Sequence, residues 1–435
     1  MKTIYTLLLT FLSISLFGQI PTPGADQNVS TIITNVTIHV GNGTVIEKGA
    51  VGFENGKITE IVDLSQKSID ALKYQKAVDG KGQHLYPGFI LPNTTLGLIE
   101  IDAVRASDDQ REAGHMNPNA RSIIAYNTDS KVTPTVRTNG VLIGQITPRG
   151  GRISGTSSVV HFDAWNWEDA VIREDDGIHL NWPNIYRRSG WWAEPGPVTK
   201  SKKYDEQVQE LKDYFKKAQA YQQSEQKAIN LPLKSMEGLF TGNQTLYIHA
   251  DGAKEIAAGV LFAKEFNIKN IVIVGAREAG LVTDLLKENN VSVIVERVHG
   301  LPDHPESDVD ELYALPALLA KSGIPFCFNY AGDMEAMGAR NLPFTAGTAV
   351  AYGLPYEKAV EALTLSAAKI LGIDGEYGSI EVGKSATFFL SKGDALDMRT
   401  NAIGAAYVDG RSLTLMNHQI ELYQKFSNKY GIEVK

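Results

Sequence analysis

Four short β-rich runs, TLYIHA, NIVIVGA, VSVIVERV and IPFCFNY, alternate between residues 244 and 328 with stretches of helical periodicity, and this repeat constrains the fold more than any other feature. The intervening segments AKEIAAGVLFAKEF and AGLVTDLLKENN carry apolar residues at helical spacing and run into polar or Asn residues that can end a helix. Strands apolar on both sides need cover on both faces, which a parallel sheet wrapped by helices supplies and an open antiparallel sheet does not. A barrel and a doubly wound sheet both satisfy the pattern. No glycine fingerprint follows a suitable strand, which weakens the doubly wound, nucleotide-binding version.

Upstream, LYPGFILPN, GVLIGQITP and SSVVHFDAW read as further strands and bring the count near eight. Residues 202–227 place Val208, Leu211, Tyr214, Phe215, Ala218 and Tyr221 on one side, an amphipathic helix whose aromatics are expected to be core contacts. Both ends of the chain differ from the middle: STIITNVTIHV and AVGFENGKITEIV, then SATFFLSKG and AIGAAYVDGRSLTL, alternate in the β manner around Gly and Asn turns. The run PRGGRISGTSS lacks the GK[ST] ending of a phosphate loop, and Gly150, Gly151 and Gly155 fit a turn that brings the backbone close to a ligand or to another strand.

The chain has 435 residues, more than one ordinary core organises, so a large domain with a satellite is expected. Its 43% hydrophobic and 21% charged residues suit a packed interior, and a net charge of -8 without long charged runs disfavours nucleic acid and anionic lipid as partners. Lys2, an apolar stretch over residues 4–17 and Gly18 form a secretory signal-peptide pattern, too short and too interrupted by Thr10, Ser13 and Ser15 to span a membrane. An exported protein, periplasmic or secreted and free of the membrane after cleavage, is expected. Cys327 is the only cysteine and can form no intramolecular disulfide.

The segments ENGKITEI, LYPGFI, YIHADGAKEI, LPYEKAVEALTLSAAKILGI, YGSIEVGKSATFFL and AYVDGRSL resemble the amidohydrolase superfamily, especially its imidazolonepropionase-like branch, over almost the whole mature chain. The resemblance implies a (β/α)8 TIM barrel, an α/β fold, flanked by a small β-sandwich built from both ends of the chain. The segments would be a signal peptide at 1–18, the sandwich at 28–84 and 381–415, the barrel at 85–380 and a tail at 416–435. It also implies one or two divalent metals held by two His after the first barrel strand, a carboxylate or carboxylated Lys on the fourth, and His on the fifth and sixth. An Asp on the eighth completes the set. Such a metal lowers the pKa of bound water and polarises a carbonyl, while the Asp moves the proton to the leaving group.

Aligned on LYPGFI, the first-strand pair falls on Asn93 and Thr95, and the sixth strand ends in Gly275, Ala276 and Arg277, so the metal motifs are degenerate. His249 matches the fifth-strand ligand, and Asp333 in FNYAGD is the candidate catalytic Asp. A relocated metal site could use His299 and His304 of VHGLPDHPESD with Asp303, Glu306 and Asp308, the alternative being a solvated loop pinned by Pro302 and Pro305. The expected cofactor is one divalent metal, zinc first, or none. Arg149, Arg277, Arg340 and Asn93 are candidate substrate-binding residues, with Arg152 near the same rim; each Arg has ion pairing as its alternative role. Two functions follow: a hydrolase of C–N bonds in a small amide, cyclic amide or peptide-like substrate, with His249 and Asp333 catalytic, or a degenerate barrel that binds a small ligand. A homo-oligomer is left open.

Overall fold

The computed structural model describes residues 23–191, 193–225, 228–332 and 334–432. The leader pattern at 1–18 and Asp333 therefore lie outside the described residues, as do the last three residues of the expected tail. No helix among the described residues is long and apolar enough to cross a membrane.

The two ends of the chain meet in one seven-stranded sheet. Its strands are β1 (Thr31–His39), β2 (Val45–Glu54), β3 (Lys57–Asp63), β4 (Lys76–Pro87), β15 (Phe388–Ser391), β16 (Ile403–Val408) and β17 (Arg411–Ser412), in the order β17-β16-β15-β4-β1-β2-β3. β4 is the joint, pairing in parallel with β1 and antiparallel with β15. Ile33, Ile38, Val51, Phe53, Phe388 and Tyr407 fill one face of this sheet, with the Phe53 ring edge-on to Phe388 at 5.3 Å. A second facing sheet, which a sandwich requires, is not among the described strands.

The other large sheet contains β5 (Phe89–Thr94), β6 (Val141–Ile146), β7 (Ile153–His161), β8 (Val171–Asn181), β11 (Thr245–Ala250), β12 (Ile271–Gly275), β13 (Ser292–Val295) and β14 (Phe326–Phe328), in unbroken order from β5 to β14. Its neighbours are parallel except at β7, which is antiparallel to both β6 and β8. This departs from the all-parallel repeat of the (β/α)8 barrel that the resemblance implies. Only residues 147–152 separate β6 from β7, and a parallel return needs a crossover of about a dozen residues or more. The sequence reading also missed β8, whose charged beginning, Arg173 to Asp176, obscures its apolar end GIHLN.

Ile90, Ile143, Val159, Tyr247, Val272, Ile294 and Cys327 form one layer inside this nearly closed barrel, packed on Ala367, Ala368 and Leu371 of the helix Leu365–Leu371. Side chains of alternate parity, such as Leu246, Ile248 and Ile273, face outward into the layer of surrounding helices. The amphipathic helix spans Tyr204–Gln223 and buries Leu211, Phe215 and Ala218, with Phe215 against Phe262 at 4.8 Å. Between β8 and this helix, β9 (Tyr186–Trp191) and β10 (Glu194–Lys200) form a separate antiparallel hairpin.

Barrel and terminal sheet are locked together at Asp163. Its carboxylate accepts from Arg137 at 2.8 Å and from the Gly24 amide at 3.0 Å, while Arg411 of β17 donates to its carbonyl at 2.9 Å. Arg137 and Asp163 are both buried, so deleting one leaves an uncompensated charge. Asp163→Ala is expected to cost about 3–5 kcal/mol in urea unfolding. Asp397→Ala, at the exposed Arg399 pair, is expected to leave the urea midpoint nearly unchanged. Equal losses would contradict the assignment of Asp163 as the lock.

Candidate active site

Active sites of such barrels gather where the parallel strands end. That rim opens on a pocket of about 780 Å³, whose lining includes Asn93 from β5, Asn181 from β8, His249 and Asp251 at the end of β11, Glu296 beyond β13 and Asn329 beyond β14. The interior is thus two-storeyed: the apolar layer below, and a polar layer above it of Gln145, Ser157, Asp176, His179 and His249.

A buried hydrogen-bond chain runs through the polar storey. Asp176 accepts from Gln145 Nε2 at 2.7 Å, from Ser157 Oγ at 2.7 Å and from Tyr247 Oη at 2.7 Å, so three neighbouring strands donate to one carboxylate. Ser157 Oγ lies 2.9 Å from His179 Nε2, and His179 Nδ1 lies 2.9 Å from His249 Nε2. With Asp176 ionised, each group donates toward it in turn, and His249 Nδ1 remains an acceptor without a protein partner. Burial pushes Asp176 upward, while its three donors pull it back. Burial, followed by the neighbouring His249 and Arg149, holds His179 well below the ordinary histidine range; burial, followed by Arg149, pushes His249 down to about 3. Both rings are neutral near pH 7.

Asp251, two residues after His249, is exposed at the pocket wall, with Glu296 and Arg277 near its carboxyl. Burial, then the nearby Glu296, pushes its carboxyl up to about 7, with Arg277 opposing. Asn329 is buried, and among the described residues neither atom of its amide has a partner. The sequence reading overlooked Asn329, although it is the first polar residue after the apolar FCF strand. His179 was also overlooked; its context GIHLN matches that of His249 in YIHA.

The other expected site residues scatter. Asn93 does line the pocket, its Oδ1 and carbonyl gripped by Arg149 at 2.9 and 2.8 Å. Arg149 is not a free substrate anchor, because it also pairs with Glu335 at 2.8 Å. Arg277 is likewise taken, by Asp303 at 2.7 Å and the Leu301 carbonyl at 2.7 Å. Arg340 lies outside the pocket lining and donates to the Met337 carbonyl of its own turn. His299 binds Thr348 Oγ1 at 2.7 Å and lines a different cavity, whereas His304 binds Glu278 at 2.7 Å on the surface. The two do not converge on each other or on His249, so the relocated metal pair is not formed. The glycine run serves chain packing: Arg152 N donates to the His115 carbonyl and Thr156 N to that of Ala120, and a Cβ on Gly155 would lie 2.3 Å from the latter.

The metal set implied by the resemblance is not assembled by these donors. His179 and His249 are hydrogen-bonded to each other, the first-strand positions hold an Asn gripped by Arg149 and a Thr, and β12 ends in Gly275. Among the described residues no three His, Cys, Asp or Glu side chains gather to hold an ion.

The family model described as the Amidohydrolase family matches residues 217–415. No curated protein matches the sequence. Among solved structures, an amidohydrolase from Thermotoga maritima MSB8 superposes with a TM-score of 0.74 at 22% identity, covering 88% of this chain and 99% of that one. A prolidase complexed with N-methylphosphonate-L-proline gives 0.52 at 15%, covering 88% and 99%. A zinc-bound adenosine deaminase from Xanthomonas campestris gives 0.50 at 14%, covering 95% and 99%. The Amidohydrolase family model thus matches residues 217–415, and over most of its length the chain shares the fold of the Thermotoga maritima amidohydrolase.

Proposed function

We propose that this chain is a hydrolase that cleaves a C–N bond of a small amide at the barrel mouth, through its own side chains. The observation that carries this is Asn329. A buried amide with both donor and acceptor unpaired is costly unless a ligand completes it. A group that completes an Asn side chain with two hydrogen bonds is a second amide whose C=O and N–H share one edge, as in a primary or cyclic amide, its carbonyl on Nδ2 and its N–H on Oδ1. The family and the prolidase and deaminase neighbours support the same bond class.

Asp251, poised near neutrality, takes a proton from water as the water oxygen bonds to the amide carbon. Asn329 Nδ2 donates to the oxygen that becomes negative, and neutral His249 accepts a hydrogen bond from the water through Nδ1. Asp251 then returns the proton to the leaving nitrogen as the C–N bond breaks, giving a carboxylic acid and an amine. In the second reading the same amide is bound without turnover. It is favoured by an Asn, not an Asp, at the end of β14. The exported location expected from the leader belongs to the proposal as well.

Release of amine or ammonia from a panel of cyclic and primary amides tests the reaction. The rate is expected to rise with pH through about 7 as Asp251 ionises. Asp251→Asn should lower it about 10²–10⁴-fold and abolish that limb, and wild-type activity in this variant would remove the mechanism. Asn329→Leu should weaken binding of the panel, measured by calorimetry; binding without amine release would select the second reading. Because the described donors form no metal set, exhaustive chelation is expected to leave hydrolysis unchanged, and a loss reversed by zinc would show that the donor set has been misjudged.

A further inference from the structure

The hairpin β9–β10 and the turn that follows it stand over one side of the mouth. Arg187, Lys200, Lys202 and Lys203 from this insertion, with Arg152 from the turn between β6 and β7, line that wall of the pocket. The pocket's two carboxylates, Asp251 and Glu296, belong to the β11 and β13 ends instead. In a chain of net charge -8, cations are thus concentrated where a ligand would enter. None of the five is in an ion pair among the described residues, in contrast to Arg149 and Arg277 on the same rim. Arg152 is the most telling. It is about half enclosed, its guanidinium donates to the Asn181 carbonyl at 3.0 Å, and burial presses its pKa downward against only the more distant pull of Glu210. A cation drawn out of water without a carboxylate partner regains stability when an anion arrives.

We infer that this wall is an anion subsite, and that the substrate is an amide carrying an anionic oxygen group, a carboxylate or a phosphate. The inference rests on the mouth being the site of C–N hydrolysis. The wall would hold the charged end of the substrate while its amide pairs with Asn329 on the floor. The hairpin packs chiefly on itself, and β9 is exposed along its whole length, so the subsite sits on an insertion rather than on the barrel frame. Field lines from clustered cations in a cleft also raise the encounter rate of anions, an effect that salt screens.

Calorimetric titration of the full chain with glutarate, inorganic phosphate and cadaverine tests this. Glutarate or phosphate, whichever matches the substrate's group, is expected to bind, more weakly as sodium chloride is raised, and cadaverine is expected not to. The triple variant Arg152→Gln, Lys200→Gln, Lys202→Gln should weaken anion binding about tenfold or more. A control with the same lost charge elsewhere, Lys67→Gln, Lys73→Gln, Lys81→Gln, should not. Equal affinity in the two variants, preference for cadaverine, or no binding of either anion would overturn the subsite. Anion binding as expected together with no amide cleaved would sink the hydrolase reading and leave the subsite standing.

Discussion

One buried carboxylate holds the upper storey of the barrel together. Asp176 comes from β8, and its three donors come from β6, β7 and β11, so four strands are tied to a single charge in a place without water. Burying a carboxylate is expensive unless its lone pairs are filled, and here they are. The same three donors leave the Ser157 oxygen free to accept, which directs His179 and then His249. The tautomer of the histidine at the mouth is therefore set from the far side of the barrel, through a serine that only an antiparallel β7 places beside it. The strand that breaks the regular βα pattern supplies a link of the chain.

What the sequence made legible followed from periodicity. The second half of the barrel, with each apolar run followed by a helix, and the joining of the two ends were readable because alternation and turn residues report burial directly. β8 was not readable, because its charged beginning, Arg173 to Asp176, looks like a solvated loop until the partners of Asp176 are known. The direction of β7 depended on the short link 147–152, a signal present in the sequence but outweighed by the expectation of a uniform repeat.

At the site, His249 stood out because a histidine ending an apolar strand is conspicuous. Asn329 did not, since a lone Asn after a strand is an ordinary turn residue and only its missing partners give it meaning. Density of chemistry-bearing residues misled in the other direction. His299, Asp303 and His304 are close in sequence and look like a ligand nest, yet Arg277 pairs with Asp303 and His304 hydrogen-bonds Glu278. Local charge pairs of this sort are the commoner use of such residues on an exposed loop, and sequence spacing cannot tell them from a metal site.

Where the resemblance implies first-strand metal ligands, the side chains present are bonded within the protein. Asn93 sits at a left-handed backbone angle, φ 51°, which Asn tolerates better than most residues, and its amide nitrogen donates to Gln145 of the polar storey at 3.0 Å. Its side chain and carbonyl receive Arg149, which Glu335 holds from the opposite side. The positive charge at this end of the barrel is accordingly a guanidinium fixed by four acceptors, from Asn93, Thr147 and Glu335, and its field is one cause of the low pKa of His249. Restoring a histidine at position 93 would not by itself recreate a ligand. The new ring would meet a cation whose place is set by Glu335, and a His249 whose Nε2 is committed to His179. The hydrogen-bond chain and the fixed guanidinium therefore act together: the imidazole pair stays neutral and internally bonded beside a charge that Asn93 and Glu335 hold in place.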